Sequence, residues 1–204
     1  KAQLAMLRAT GHGVASGGGV SCQDRADART KGPDVTDVFN LDEQATRWVD
    51  RTLDSLDLDG RIGQIINVVI GWGVKDEAGF LDCIERFQPG SGQGGSGTWQ
   101  GCRDLNEKIQ QRSRVPFCTS ADAENGLNCT GATPFPSGMG RAAIADLSRA
   151  EELAYLAART TAVQARAVGV AWDLAPVVDI NANFRNPITN IRSAGDDVER
   201  VKTV

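Results

Sequence analysis

Helical and strand-like segments alternate along this sequence. Asn40 and Glu43 have the spacing of a helix-capping box, apolar side chains then recur at helical spacing as far as Leu56, and Gly60 is expected to end this helix. A nearly unbroken β-branched run, Ile62 to Ile70, follows and is typical of a strand covered on both faces. Alternation of this kind predicts parallel β/α units, in which each helix returns the chain to the start of the next strand.

The same pattern continues downstream. Helices are predicted over about 76–87, from Thr98 to near Val115, and from a second capping box at Ser148 and Glu151 to Gly169. Strands are predicted at Val115–Ser120 and from Val170 to Pro176. Residues 1–38 lack periodicity and are expected to form an extended or disordered leader, so the folded domain is expected to span 39–204.

Both downstream strands lead directly into polar loops. The first is followed by Ala-Asp-Ala-Glu-Asn-Gly at 121–126. The second leads into a loop spaced by Asn, Pro and Gly that carries Asp179, Arg185, Arg192 and Asp196. Charged groups just past the carboxyl ends of buried parallel strands form the ligand site of a β/α barrel, so these two loops predict a binding site.

Four blocks of sequence, in order and in register, resemble glycoside hydrolase family 3. They are Arg-Ile-Gly-Gln-Ile at 61–65, Asp-x-Glu-x-Gly at 122–126, Ala-Pro-Val-x-Asp at 175–179, and Asn-Pro through Ile-Arg-Ser to Gly-Asp-Asp at 186–197. The amino-terminal domain of that family is a parallel (β/α) barrel of the TIM type. The resemblance therefore implies an α/β fold, of which this chain supplies the first three to four β/α units as a partial barrel.

The resemblance also implies an activity, the cleavage of terminal β-linked sugars with retention. In the family, the Asp matching Asp122 hydrogen-bonds hydroxyls of the cleaved sugar, and the Arg matching Arg192 reaches the same ring. Such a carboxylate and such a guanidinium suit the edge of a sugar. Glu124 is either a third substrate-binding residue or an orienting carboxylate, and Asp122 could instead cap its turn.

The other charged residues of the second loop are interpreted as structural. Arg185 is expected to brace Asp179 or Asp197, and Asp179 to act as a structural acceptor. Three tryptophans could stack on sugar faces, but a buried place in the barrel wall is the commoner one for Trp72, Trp99 and Trp172.

The catalytic residues of the family are expected outside this sequence. Its Lys-His motif and its nucleophilic Asp should follow the Gly-Asp-Asp block, and the sequence ends at Val204 before either occurs. We therefore expect this chain to hold part of the sugar subsite and no catalytic residue. Paired carboxyl groups suffice for glycoside hydrolysis, so no metal and no organic cofactor is implied.

The segment from Gln88 to Gly97 departs from the family pattern. A strand is expected there, yet five glycines make a poor strand, so it is either a strand held by its neighbours or a loop. Gly90-x-Gly92-x-x-Gly95 also matches a dinucleotide-binding turn. That motif has meaning only between an apolar strand and a helix, so a flexible loop is the favoured interpretation.

Composition limits the partners. A net charge of −4 and a pI near 5.1 give no reason to expect nucleic acid, and no apolar run reaches the ~18 residues of a membrane span. The five cysteines lack metal-ligand spacing, at least one thiol is left over, and Cys102 and Cys118 are expected to be buried. The family slightly favours an extracellular or periplasmic location, although no signal peptide is visible.

Three functional hypotheses follow. The first is the amino-terminal part of a β-glucosidase or β-N-acetylhexosaminidase that binds an oligosaccharide or glycoside. The second is a carbohydrate-binding or partner-binding fragment without catalysis, and the third is a nucleotide-dependent oxidoreductase. In the first two, the rest of the barrel or another chain would cover the strand edges of the partial barrel.

Overall fold

The structure is a computed structural model that describes residues 41–70 and 76–204. The chain divides into two compact units, Lys1–Asp57 and Leu58–Val204. The described part of the first unit contains helix α1, Glu43–Asp54. The N-cap of this helix is Asp42, whose carboxylate accepts a hydrogen bond from the Ala45 N–H at 2.7 Å. The predicted cap Asn40 and the predicted leader 1–38 lie outside the described residues.

The second unit is built on two parallel sheets. In chain order its elements are α2 Leu58–Gln64, β1 Asn67–Val69, α3 Glu77–Phe87, β2 Ser91–Gln93, β3 Gly97–Thr98, α4 Trp99–Arg112, β4 Cys118–Ala121, β5 Cys129–Thr130, α5 Gly138–Ala142, α6 Leu147–Ala167, β6 Trp172–Asp173, a 3-10 helix Asn190–Arg192, and α7 Val198–Thr203. The larger sheet has the order β1-β2-β4-β6 and the smaller one pairs β3 with β5.

This topology confirms the predicted parallel β/α arrangement. Helices α3, α4 and α6 each connect one strand of the larger sheet to its parallel neighbour. Within the described residues the sheet does not close on itself, because β1 and β6 are its two edges. The second unit is therefore a partial barrel.

The first predicted strand is much shorter than expected. Helix α2 occupies Leu58–Gln64, so Gly60 lies within a helix instead of ending one, and only Asn67–Val69 is extended. Val69 is 64% exposed, so the strand is not covered on both faces. An apolar run without a clear period cannot distinguish a short helix from a strand, which explains the error.

The glycine-rich segment is a strand in the interior of the sheet. Ser91–Gln93 pairs in parallel with β1 on one side and with β4 on the other. A Cβ on Gly92 would lie 2.7 Å from Ile70 Cδ1 and 2.7 Å from Phe117 Cζ, so glycine lets these two core side chains approach the strand. Of the two alternatives for this segment, the strand held by its neighbours is therefore confirmed and the loop is wrong. The position of Gly92 inside a strand also agrees with the rejection of a dinucleotide-binding turn.

The longer helices largely match their predictions. Thr98 caps α4 by accepting from the Gly101 N–H at 3.0 Å, as expected. Helix α6 is capped by Asp146, which accepts from the Arg149 N–H at 3.1 Å, so the capping box at Ser148 and Glu151 was wrong. The negative charge of the aspartate also stabilises the helix, because the unpaired N–H groups of the first turn give the N-terminus a partial positive charge.

Two buried apolar clusters join the helices to the sheet. The first holds Ile70, Leu81, Ile84, Ile109 and Phe117. The second holds Cys102, Ala121, Leu127, Cys129, Ala165, Val168 and Val170. The amide of Asn106 in α4 joins three elements, because it donates to the Val168 carbonyl at 2.7 Å and accepts from the Thr119 hydroxyl at 2.9 Å. The sheet is thus held firmly on its helical side.

The region around β6 and its following loop exposes large apolar side chains. Trp172 is 54% exposed, and exposed apolar side chains continue through Leu174, Val178, Phe184 and Ile188. A buried place in the barrel wall is therefore wrong for Trp172, whereas Trp99 packs partly buried against the second cluster. Trp72 lies outside the described residues. Among the helices described, none is long and apolar enough to cross a membrane.

Candidate functional site

A cavity of about 270 Å³ lies where the strands of the larger sheet end. Its wall includes Val69 at the end of β1, Gln93 at the end of β2, and Ala121 with Asp122 at the end of β4. Gly94, Gly95, Ser96 and Asn128 complete the lining. The cavity therefore occupies the carboxyl ends of three parallel strands, the position at which β/α barrels bind their ligands.

Asp122 presents its carboxylate to this cavity. It directly follows β4 and is exposed, and the Gln93 side-chain amide donates a hydrogen bond to its Oδ2 atom. The sequence did not indicate Gln93, because its segment could be either a strand or a loop. The pairing of β2 with β4 is what brings the two side chains together.

The turn at 122–126 is held by the backbone. Gly126 has a φ of +92°, and a Cβ there would overlap the Thr133 carbonyl, so the Gly of the Asp-x-Glu-x-Gly pattern has a conformational cause. The Asp173 carboxylate accepts from the Ala123 N–H at 3.0 Å. Burial raises the pKa of Asp173, backbone N–H donors oppose that effect, and the negative charge of Asp122 adds to it.

Glu124 and Arg192 form a bidentate ion pair. Arg192 donates from Nη2 to Glu124 Oε1 at 2.5 Å and from Nε to Oε2 at 3.0 Å. The Arg192 hydrogen bond holds the pKa of Glu124 below its ordinary value, and partial burial opposes this shift. The pKa of Arg192 is raised by the Glu124 hydrogen bond first and its charge next, with smaller contributions from the charges of Asp122 and Asp179.

The structure therefore brings the three predicted site residues to one region. Arg192 lies close enough to Asp122 for their charges to interact, although its side chain is not part of the cavity wall. Glu124 links the two segments, because it belongs to the turn that begins with Asp122 and holds the guanidinium of Arg192.

The loop that carries Arg192 is fixed by Ser193. This residue is fully buried, and its hydroxyl donates to the Asp179 carbonyl at 2.6 Å. Asp179 thus acts as a structural acceptor through its main chain. Arg192 itself ends the short 3-10 helix and donates from Nη1 to the Ile188 carbonyl at 3.3 Å.

Arg141 is a further contributor that the sequence did not indicate. Its Nη1 atom donates to the Glu124 carbonyl at 3.1 Å and to the Pro136 carbonyl at 2.8 Å. Burial lowers the pKa of Arg141, and the charge of Glu124 partly offsets that effect. A second arginine therefore supports the backbone of the same turn from helix α5.

The predicted bracing role of Arg185 is wrong. Its guanidinium lies over the Phe184 ring, 5.4 Å from the centroid, and Asp197 instead caps α7 by accepting from the Arg200 N–H at 2.7 Å. Asp196 is exposed. Across 41–70 and 76–204, no three or more His, Cys, Asp or Glu side chains are grouped so as to hold a metal ion.

Comparison with known proteins identifies the architecture around this cavity. Residues 60–204 match the model of the glycosyl hydrolase family 3 N-terminal domain. The chain belongs to this family. The match begins close to the start of the second compact unit and includes every residue of the site described above.

Individual relatives agree. The chain is 32% identical over 165 residues to a β-N-acetylglucosaminidase/β-glucosidase of Cellulomonas fimi, which covers 80% of this chain and 28% of that protein. A solved β-glucoside phosphorylase bound to 2FGlc is 33% identical with a TM-score of 0.69, over 80% of this chain and 29% of that one. A family 3 β-N-acetylglucosaminidase from Paenibacillus sp. str. FPU-7 is 30% identical with a TM-score of 0.58, over 72% of this chain and 29% of that one.

These comparisons confirm the predicted family and the partial-barrel fold. This chain spans less than a third of the length of each of these three relatives. Its relatives bear the names of enzymes that act on β-glucosides and β-N-acetylglucosaminides, the two groups to which the sequence analysis pointed.

Proposed function

We propose that this chain supplies part of the sugar-binding subsite of an enzyme that cleaves terminal β-linked glucose or N-acetylglucosamine from glycosides, with retention. The observation that carries the proposal is the position of the Asp122 carboxylate. Asp122 lines a cavity at the carboxyl ends of the strands, and the Arg192 guanidinium is close enough for the two charges to interact. The volume of about 270 Å³ lies just below the roughly 300–1,000 Å³ of ligand pockets, in keeping with a partial subsite.

Asp122 is suited to bind sugar hydroxyls. One of its oxygens, Oδ2, accepts from Gln93, and none of the described hydrogen bonds uses Oδ1. An ionised carboxylate is an acceptor with about four lone-pair sites, so it can take hydroxyl donors while it remains bonded to the glutamine. Gln93 would then fix the orientation of the carboxylate.

Arg192 is suited to donate to the same ring. The described contacts use its Nε, Nη1 and Nη2 atoms, each through one N–H. A guanidinium has five N–H donors in a fixed fork, so two remain for a ligand. In this proposal Glu124 acts by orientation, because the ion pair holds the fork in one plane next to the cavity.

In this proposal, the groups that carry out the covalent steps are not part of this chain. A retaining glycosidase uses one carboxyl group as nucleophile and a second acid to protonate the leaving oxygen. Asp122 and Arg192 would contribute by binding the sugar more tightly in the transition state than in the ground state, and Glu124 by orienting Arg192. The nucleophile and the proton donor come from the remainder of the enzyme.

Phosphate is a second candidate for the acceptor. The similarity to the β-glucoside phosphorylase favours it, since the identity and TM-score for that protein exceed those for the Paenibacillus β-N-acetylglucosaminidase. The two outcomes differ in product. Transfer of the sugar to water gives a free sugar, and transfer to inorganic phosphate gives a sugar phosphate. Product analysis with and without inorganic phosphate separates them.

The test uses the enzyme encoded by the full coding sequence that contains this chain, with an aryl β-glucoside and an aryl β-N-acetylglucosaminide as substrates. We expect Asp122→Ala and Arg192→Ala each to lower kcat/KM by more than about tenfold, or about 1.4 kcal/mol. Arg185→Ala is the matched control, because that guanidinium contacts Phe184 and no residue of the site. Smaller losses in both site variants would show that the sugar binds elsewhere.

The alternative of a carbohydrate-binding fragment without catalysis makes a different prediction. It expects saturable sugar binding and no turnover from the full-length protein. If neither substrate is cleaved, with or without phosphate, while the sugar still binds in an Asp122-dependent manner, that alternative replaces the enzymatic one.

A further inference from the structure

Two buried cysteines from distant parts of the sequence meet beside the cavity. The Sγ atoms of Cys102 and Cys129 are 2.8 Å apart, and both residues are 7% exposed. Cys102 lies in the first turns of α4 and Cys129 begins β5. A disulfide joins its sulfurs at about 2.0 Å, so a covalent bond between these two requires a shift of under about 1 Å.

The surroundings of the two sulfurs fit a disulfide better than a metal site. The remaining polar neighbours of the thiols are the Ser96 carbonyl, 3.2 Å from the Cys102 sulfur, and the Gly95 carbonyl, 3.2 Å from the Cys129 sulfur. The cluster around them is apolar, and it includes Leu127. No third metal-binding side chain joins them among the described residues.

The other described cysteines differ from this pair. Cys83 is exposed, and Cys118 is partly buried in β4 without a sulfur partner among the described contacts. Cys22 lies outside the described residues. The pair is therefore set apart by geometry, since only Cys102 and Cys129 have sulfurs in contact within the described part of the chain.

The pair lies under the rim of the cavity. Gly95 and Ser96, whose carbonyls contact the two sulfurs, line the cavity, and so does Asn128, the residue before Cys129. Strand β5 pairs with β3, where Gly97 is the partner of Cys129 in the ladder. A bond between the sulfurs would therefore attach one side of the rim covalently to helix α4.

We propose that Cys102 and Cys129 form a disulfide bond when the protein meets a disulfide oxidant, and that this bond fixes the rim of the cavity. With oxidised glutathione, one cysteine thiolate attacks a glutathione sulfur and releases one glutathione thiolate. The second cysteine thiolate attacks the protein sulfur of the mixed disulfide and releases the other glutathione thiolate. Two protein thiols are oxidised, one glutathione disulfide is reduced, and the two protons lost by the cysteines are taken up, through solvent, by the two glutathione thiolates.

Burial makes this reaction slow and dependent on alkali. Burial first, and then the neighbouring Cys102, raise the pKa of Cys129 to about 12. Thiolate is the reactive form, so the rate of bond formation should increase as the pH rises through the neutral and mildly alkaline range. The reaction is therefore best followed at mildly alkaline pH, over hours.

The experiment incubates the purified chain with a mixture of oxidised and reduced glutathione, quenches the free thiols, denatures the protein and counts them. We expect two of the five thiols to be lost and the intact mass to fall by two hydrogen atoms. Cys102→Ser and Cys129→Ser should each abolish this loss. Cys83→Ser and Cys118→Ser are matched controls that should still lose two thiols.

Peptide mapping of the wild-type chain identifies the bond even if a variant fails to fold. Digestion at Lys, Arg and Glu separates Cys118 from Cys129, so the expected product is Phe87–Arg103 linked to Asn125–Arg141. A bond between any other pair, a stable glutathione adduct on one cysteine, or five thiols persisting after prolonged incubation would each overturn the proposal. This result is independent of sugar binding and of the proposed enzyme activity.

Discussion

The substitution Gly92→Ala tests the packing of the central strand. The added methyl would lie 2.7 Å from both Ile70 Cδ1 and Phe117 Cζ, whereas carbon atoms pack best at about 3.5–4.0 Å. Both neighbours are buried, at 3% and 0% exposure, so neither can turn into solvent. Strand β2 cannot move aside either, because β1 and β4 pair with its two edges.

Overpacking of this kind costs about 1–3 kcal/mol, and the confinement on every side places Gly92→Ala in the upper half of that range. With a urea m-value of about 2 kcal/mol/M, the midpoint of unfolding should fall by about 1 M. Tryptophan fluorescence during urea titration measures it. Gly140→Ala is the control, because that glycine is exposed in α5 and its new methyl meets only Pro136 and Ser137 closely, at 3.1 and 3.4 Å.

A double substitution makes the argument specific. Ile70→Ala removes the Cδ1 and Cγ1 atoms that collide with the new methyl, and alone it should cost about 2–5 kcal/mol as a cavity. The pair Gly92→Ala with Ile70→Ala should therefore cost at least about 1 kcal/mol less than the sum of the single changes. The packing argument would be refuted if the two costs are additive and the free energy of unfolding of Gly92→Ala is within about 0.5 kcal/mol of the wild-type value.

Three further predictions concern the site and its rim. The pKa of Glu124 is lower in the folded protein than its ordinary value of 4.5. Its pairing with Arg192 therefore stabilises the fold at pH values above 4.5, and this stabilisation is lost as the pH falls through the pKa of the folded state. Arg192→Ala should therefore cost about 1 kcal/mol at neutral pH and progressively less in acid, as urea midpoints against pH would measure. In the full-length enzyme, Gln93→Glu places a second negative charge beside Asp122, so kcat/KM should fall by about tenfold at neutral pH and recover partly as the pH is lowered. Oxidation of Cys102 and Cys129 closes a loop of nearly thirty residues and should raise the free energy of unfolding by about 3–4 kcal/mol, seen as a higher melting temperature that Cys129→Ser does not show.

Each of these has a clear contrary outcome. A cost for Arg192→Ala that stays constant across the acid range would mean that charge pairing is not its source. Equal losses for Gln93→Glu and Gln93→Leu at every pH would indicate lost packing instead of an electrostatic effect on Asp122. If the oxidised and reduced wild-type proteins have the same melting temperature, the bond strains the folded state as much as it constrains the unfolded chain.

The sequence predicted the parts of the fold that depend on local pattern. Helix α4, its Thr98 cap and the alternation of helices with parallel strands are encoded by neighbours within one segment, and the structure has them as expected. The first helix ends at Asp54, before the predicted end at Gly60, because helix ends are not sharply encoded by sequence. The cap of α6 is Asp146 instead of Ser148, because several polar residues near the start of a helix can serve as its cap.

The parts that depend on neighbouring strands could not be predicted. Glycines carry little information about strand formation, so the sequence left a strand and a loop open for β2, and its pairing with β1 and β4 decides for the strand. Gln93 and Asp173 contact the site across strand boundaries, and Arg141 does so from α5. Asp122, Glu124 and Arg192 were found because the family motif marks them, and their role in sugar binding stays a prediction.

The ion pair of Glu124 limits what this carboxylate can do in a reaction. A group that protonates a leaving oxygen at neutral pH needs a pKa near neutrality, so that it is still protonated when the substrate arrives. Arg192 shifts the pKa of Glu124 in the opposite direction, so at neutral pH this side chain carries no proton to give. In the reaction proposed above, Glu124 would therefore act as a fixed negative charge, and the departing alcohol would obtain its proton from another group.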